Sequence, residues 1–288
     1  MDTDKPAHDA APLADWIGRK QRLIDDIALA PAHALWATLN AGDPAPAAGQ
    51  PLPWLWHWMY FNPAAPRHTL GQDGHPTTGV LRPPIRQPRR MWAGGSLDFH
   101  QPLHIGDEVL RDSRIVAINE KQGRTGALCF LTLRHQLTGP RGLAIDERHD
   151  IVYRELHQPG ALPSPDVPAP ADEQFSRRLT PDPVLLFRYS ALTFNGHRIH
   201  YDAPYATQTE GYAGLVVHGP LIATLLADLL ARQQPGLRLR QFSYKGIGPL
   251  FADHELVLCG RQTGEREFAL WARNAQGRLG MQATALID

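Results

Sequence analysis

The chain has 288 residues, 43% of them hydrophobic and 20% charged, an ordinary balance that leaves room for one large core or two smaller ones. Its 29 Lys and Arg match its 29 Asp and Glu, so no long-range field gathers nucleic acid or an anionic bilayer. The longest apolar stretch, Leu221 to Ala231, is interrupted by Asp228 and falls well short of the ~20 residues a membrane helix needs.

The start, MDTDKPAHDAAP, is acidic and has no apolar centre, which predicts no secretory signal and a cytoplasmic protein. Leu13, Trp16, Ile17, Leu23, Ile24 and Ile27 fall at helical spacing, predicting an amphipathic helix over 13–28. The aromatic run WLWHWMYFNP, 54–63, suits a core plug or the wall of a cleft. Residues 64–90 lack periodicity and end in RPPIRQPRR, a candidate lid whose arginines, Arg86, Arg89 and Arg90 among them, could meet an anion.

From Met91 to Glu155 short apolar runs alternate with GD, QG and GP, the pattern of antiparallel strands joined by turns. Cys129 lies in one such run and Cys259 in another further on, so both are expected as small buried apolar groups. Residues 157–182, with five prolines between 159 and 170, predict a linker. The stretch PLHIGDEVL at 102–110 aligns without gaps on PLFADHELV at 249–257, which predicts a duplicated domain: 1–156, the linker, and 183–288. In the second copy PLIATLLADLLAR, 220–232, is apolar on nearly all its circumference, with a polar stripe of Thr224, Asp228 and Arg232. Such a helix must be wrapped by other structure, and Pro220 suits its first turn.

The stretch FNGHRIHYD, 194–202, carries Asn195 and His200 with His197 and Arg198 between them. An imidazole with an unperturbed pKa of ~6.5 can take a proton at neutral pH, and an amide can hold a water molecule or orient the ring. The run GLVVHGP places Gly214, His218 and Gly219 at the start of the buried helix, where unpaired N–H groups and the helix dipole favour an anion. Two histidines without a third ligand at a clear spacing are a weak metal signal, so no metal is expected. The repeat offset puts Asn195 and His200 on Ala48 and Pro53, which cannot do this chemistry, and one active site per chain is therefore expected.

Together RYSALTFNGHRIHYD, the GLVVHGPLIATLLADLL that follows it, and the first-half stretches PWLWHWMYF, RRMWAGGSLDF and DIVYRE resemble the double hot-dog proteins of the MaoC-like hydratase/dehydratase superfamily. Within it they are most similar to 3-methylfumaryl-CoA (mesaconyl-C4-CoA) hydratases and type 2 hydroxyacyl-thioester dehydratases. The resemblance implies an α+β fold of two hot-dog units, each a long central helix wrapped by a curled antiparallel sheet. The first unit would be degenerate, supplying the cleft wall with Trp92, and the second catalytic. The usual hydratase motif has Asp where this chain has Asn195, and Asn-Pro where it has His197 and Arg198.

The resemblance further implies a hydro-lyase acting on an enoyl-CoA, with His200 as base, Asn195 beside it and the Gly219 N–H as oxyanion donor. No resident cofactor is expected beyond the CoA of the substrate. A branched dicarboxylic thioester needs an arginine for its free carboxylate, with Arg198 the first choice and Arg86, Arg89 and Arg90 the others. His197, Gly214 and His218 are further candidates to touch substrate. Itaconyl-CoA hydration, dehydration of (R)-3-hydroxyacyl thioesters and a non-catalytic thioester-binding role stand as alternatives. A thioesterase is disfavoured because the first turn of the helix carries no acidic residue. Both a monomer and a homodimer paired through exposed sheet edges are compatible with the sequence.

Overall fold

A computed structural model describes residues 12–39, 44–62, 64–123, 126–155 and 166–288. The acidic start through residue 11 and residues 156–165 of the proline-rich stretch lie outside the described residues. In chain order the first half contains β1 (Lys20–Asp26), α1 (Leu29–Thr38), β2 (Arg89–Phe99), β3 (Glu108–Gly123), β4 (Gly126–Gly139) and β5 (Gly142–Arg154). The second contains β6 (Phe175–Leu179), α2 (Pro183–Leu192), α3 (Gly219–Gln233), β7 (Leu239–Gly246), β8 (Leu256–Gln262), β9 (Glu267–Asn274) and β10 (Leu279–Ile287).

The strands form one antiparallel sheet in the order β1-β3-β4-β5-β2-β7-β10-β9-β8-β6. Read from the centre outward the two halves match strand for strand, as expected for the duplication and the double hot-dog fold. The seam is β2 against β7, from Gly94↔Lys245 to Asp98↔Gln241. Glycines are required there: a β carbon on Gly94 would lie 2.6 Å from the Tyr244 carbonyl oxygen, and one on Gly95 2.8 Å from Tyr244 Cζ. The ring of Tyr244 therefore lies across the seam and joins both halves. Cys129 on β4 and Cys259 on β8 are buried free thiols.

Three expectations are corrected. Residues 13–28 are not one helix: Leu13–Trp16 make a single 3-10 turn, Gly18 takes φ +88°, and Lys20–Asp26 form the edge strand β1. Leu23 and Ile27 are four apart, a spacing that fits both periods. The flanking charges alternate in burial along KQRLIDD, and pairing with β3 from Lys20↔Arg114 to Asp26↔Glu108 decides for strand. Second, the stretch expected as linker contains β6, which pairs with β8 as the opposite edge.

Third, the long central helix is found in the second half alone among the described residues. The Leu52 N–H donates to the Leu103 carbonyl as the Val217 N–H donates to that of Leu250, and Leu103 and Leu250 are repeat partners. Pro53, Trp54 and Leu55 thus stand where His218, Gly219 and Pro220 start α3. There Leu55 takes φ 67°, the chain makes one 3-10 turn at Trp56–Met59, and the buried Trp56, Met59, Tyr60 and Phe61 fill the space. The aromatic run is a plug in place of a helix, and it leaves a cleft open to α3.

In the second half α3 is buried on the faces carrying Leu221, Leu225, Leu226 and Leu229, in one core with Phe242, Leu258 and Leu270. Its polar stripe is satisfied internally. Thr224 Oγ1 donates to the Pro220 carbonyl at 2.9 Å, and Asp228 accepts from Arg177 at 2.7 Å and Arg232 at 3.0 Å. No helix among the described residues is long and apolar enough to cross a membrane.

Candidate active site

The catalytic stretch is set by how α2 starts and stops. Asp182 Oδ1 accepts the Leu185 N–H at 2.7 Å, and Pro183 occupies the first turn, where its missing N–H costs nothing. The helix ends at Thr193, and Phe194 then takes φ 49°, a left-handed conformation usually given to glycine at this position. That turn lets the Asn195 N–H donate to the Ser190 carbonyl at 2.8 Å. Asn195 Oδ1 accepts the His197 N–H at 3.0 Å, so the amide oxygen is held by the turn and Nδ2 is the group left to the cavity that Asn195 lines.

One 3-10 turn, Arg198–His200, then carries the imidazole inward. His200 Nδ1 lies 2.7 Å from the Val216 carbonyl oxygen. A carbonyl only accepts, so Nδ1 bears the proton and Nε2 presents a lone pair. Burial, and then the neighbouring His218, push the His200 pKa well below that of a free imidazole. His218 stacks on it with centroids 3.6 Å apart and its Nε2 2.8 Å from Ser190 Oγ; burial lowers its own pKa to about 3. His200 is thus a neutral imidazole backed by a second neutral ring. His218 does not line the cavity and acts on the geometry of His200, not on a ligand directly.

Gly219 is the first residue of α3, so its N–H has no carbonyl four residues back within the helix, and Pro220 offers no N–H at all. A β carbon on Gly219 would lie 2.6 Å from Trp92 Cε3. The Trp92 ring is stacked on Tyr244 at 4.3 Å and edge-on to Trp58 at 5.3 Å, and Trp58 Nε1 donates to the buried Glu147 at 2.9 Å. A polar network in the first half therefore fixes the wall that faces Gly219. Gly214, the other glycine candidate, does not line the cavity and has no neighbour within 4 Å of a built β carbon.

The arginine first expected to bind substrate is already engaged. Arg198 donates to Asp202 through Nε at 3.0 Å and Nη2 at 2.7 Å, and to the Gln72 carbonyl through Nη1 at 3.0 Å. It also covers the Tyr205 ring at 4.2 Å and does not line the cavity. Arg198 is a clasp between the two halves: its own N–H donates to the Asp73 carbonyl at 2.9 Å, and Gly74 packs on the backbone of Gly196. Arg86 is exposed and away from the cavity. Arg89 lines it but is paired with Glu210 at 2.8 Å, whereas Arg90 lines it with an Nε that has no hydrogen-bond partner among the described residues.

The segment 64–88 brings residues that carried no motif. Asp73 accepts from His75 through both the backbone N–H at 3.0 Å and Nδ1 at 2.9 Å, and His75 sits 4.5 Å from His197, centroid to centroid. Burial works to raise the Asp73 pKa, but the His75 bonds hold it down to about 2. Asp73, His75 and His197 offer ligand atoms within 4.8 Å of one another. Both carboxylate oxygens of Asp73 accept from His75, and the Arg90 charge acts on His75. The turn QDG at 72–74 was the only trace of this in the sequence. Arg82, His149 and Glu147 also line the cavity, and they come from separate elements that only folding brings together.

Several buried histidines share one titration behaviour. Burial first, then neighbouring cations, lowers His75 and His149 to about 3; for His135 burial lowers the pKa to about 4. With His200 and His218, these rings are neutral in the folded chain at pH values where an unfolded one is protonated. The unfolded state binds more protons below about pH 6.5, so stability is expected to fall as the pH drops through that value, by up to about 1.4 kcal/mol per pH unit for each such ring. The fall continues toward the folded values of about 3 to 4. Urea titrations at about pH 7 and about pH 5 check this, and equal midpoints would contradict it.

The sequence profile of the hydroxyacyl-thioester dehydratase type 2 family matches residues 55–252, from the aromatic plug past α3 and β7. The chain belongs to that family. It is 48% identical over 269 residues to the mesaconyl-C(4)-CoA hydratase of Chloroflexus aurantiacus, covering 93% of this chain and 95% of the relative. Among solved structures, a MaoC-like dehydratase superposes with a TM-score of 0.72 at 13% identity, covering 96% of this chain and 99% of the other. A Mycobacterium tuberculosis protein described as a double hotdog fold superposes at 0.59 and 14% identity, over 96% of this chain and 98% of its own. As a type 2 dehydratase family member the chain is a hydro-lyase of the MaoC-like double hot-dog class. The open cleft these residues line runs over both faces of β2 and β5 and has room for a long ligand such as a CoA thioester.

Proposed function

We propose that the protein reversibly hydrates 3-methylfumaryl-CoA (mesaconyl-C4-CoA) to citramalyl-CoA. The observation that carries this reading is the His200 tautomer: a buried Nε2 lone pair lines the same cavity as the Gly219 N–H at the start of α3. The thioester oxygen sits on the Gly219 N–H, where negative charge gathers as the enolate forms. Water held by Asn195 Nδ2 gives a proton to His200 Nε2, and its oxygen bonds to the carbon bearing methyl and carboxylate. His200 then returns the proton to the carbon beside the thioester, so the ring ends as it began. No electrons are exchanged overall, so the reaction calls for no redox cofactor, and CoA enters only as part of the substrate. In this reading the enzyme works in the cytosol.

Two alternatives are less well served by the cavity. A straight-chain (R)-3-hydroxyacyl thioester would place alkyl carbons against Arg90, Glu147 and His149, which line the first-half end, and burying those groups against hydrocarbon is costly. A thioesterase would need a free carboxylate near the start of α3, whereas Asp228 is held by Arg177 and Arg232. Mixing the protein with mesaconyl-C4-CoA is expected to bleach the conjugated enoyl absorbance and yield citramalyl-CoA. Binding without bleaching would instead mark a non-catalytic thioester-binding module.

A further inference from the structure

We infer that Arg90 selects the substrate by holding the free carboxylate of a dicarboxylic acyl thioester, at the end of the acyl group opposite CoA. The inference rests on the hydration proposed above and adds the contact that chooses the acyl group.

Position comes first. On β2, Arg90 stands opposite Tyr153 and Trp92 opposite Ile151, so the two side chains share the inner face of the sheet. Trp92 lies against Gly219, whose N–H receives the thioester oxygen. Two residues along a strand span about 7 Å, a separation that a four-carbon diacid and the long Arg90 side chain bridge together. An acyl group laid along β2 from Gly219 thus brings its carboxylate to Arg90, with the carbon that bears it on the His200 side.

Electrostatics agrees. Arg90 is half-buried and its buried Nε has no acceptor among the described residues, so an anion in the cavity would supply one. His197 Nε2 is a second buried nitrogen without a hydrogen-bond partner, 4.0 Å from Glu210 Oε1, and its ring lies 5.5 Å from that of His200. Arg82 adds a second positive charge nearby; burial and then Arg90 lower its pKa to about 10. Of the other arginines, Arg198 is paired with Asp202 and Arg89 with Glu210, and Arg111 Nη2 donates to the Phe61 carbonyl at 3.0 Å.

The test is a ratio. For wild type, Arg90→Met and Arg90→Lys, kcat/KM is measured on mesaconyl-C4-CoA and on crotonyl-CoA with the same preparation, so the folded fraction cancels. Arg90→Met is expected to lower the mesaconyl-to-crotonyl ratio on the order of 100-fold, as for loss of one partner of a buried charge pair. Arg90→Lys should fall between, because an ammonium keeps the charge but not the planar fork. Wild-type calorimetry gives a check that no variant can spoil: succinyl-CoA should bind more tightly than butyryl-CoA, by a similar factor. An unchanged ratio in Arg90→Met, or equal affinity for the two saturated thioesters, overturns the assignment while leaving hydration standing. A wild type that hydrates neither enoyl thioester overturns the hydration itself, and the inference with it.

Discussion

Replacing His200 by alanine is expected to lower kcat for hydration by about 100- to 10,000-fold, with little change in the affinity for a saturated acyl-CoA. The reason is local. His200 Nδ1 is spent on the Val216 carbonyl, so Nε2 is the lone pair available to water, and Asn195 has no basic atom to substitute for it. Alanine also leaves the Val216 carbonyl unpaired, which costs stability. His200→Asn separates the two effects, since its amide N–H can still donate to that carbonyl but cannot act as base. A stable His200→Asn protein that retains wild-type kcat would show that the base lies elsewhere.

Gly219→Ala is expected to lower kcat by about 100- to 1,000-fold, the usual effect of losing one oxyanion donor. The added methyl would lie 2.6 Å from Trp92 Cε3, and Trp92 cannot yield because Trp58 and Tyr244 hold it on two sides. The start of α3 must shift instead, moving its N–H away from the developing charge. The same geometry predicts rescue. In Gly219→Ala combined with Trp92→Leu the smaller side chain leaves space for the methyl, and kcat should recover in part. If the double variant is slower than Gly219→Ala by the full effect of Trp92→Leu alone, the two residues act independently and the clash is not the cause.

Much of the catalytic site was legible because it is contiguous in sequence. Asn195 and His200 lie on one turn that the resemblance to the hydratase motif picks out, and Gly219 opens a helix that the hydrophobic pattern locates. Arg198 was misread for a reason visible afterwards. Asp202 is four residues on, close enough to take its guanidinium, and proximity to His200 in sequence did not mean facing the cavity. Arg90 carried no such local cue, since the role proposed for it comes from standing two residues from Trp92, which packs on Gly219. The first-half helix was implied by the resemblance, but the segments between the matching strands differ in length in the two halves. The aromatic run that replaces it packs as a plug without helical periodicity. Asp73 and His75 pair locally, but their approach to His197, like that of Glu147 to His57 and Trp58, comes only from tertiary pairing.

The most direct measurement is the wild-type kcat/KM for mesaconyl-C4-CoA beside that for crotonyl-CoA, followed by the loss of enoyl absorbance with the product identified by mass. A base facing an oxyanion donor, in a cleft ending at Arg90, predicts rapid conversion to citramalyl-CoA and a strong preference for the dicarboxylic thioester. Equal rates on the two thioesters, or a preference for crotonyl-CoA, would contradict it.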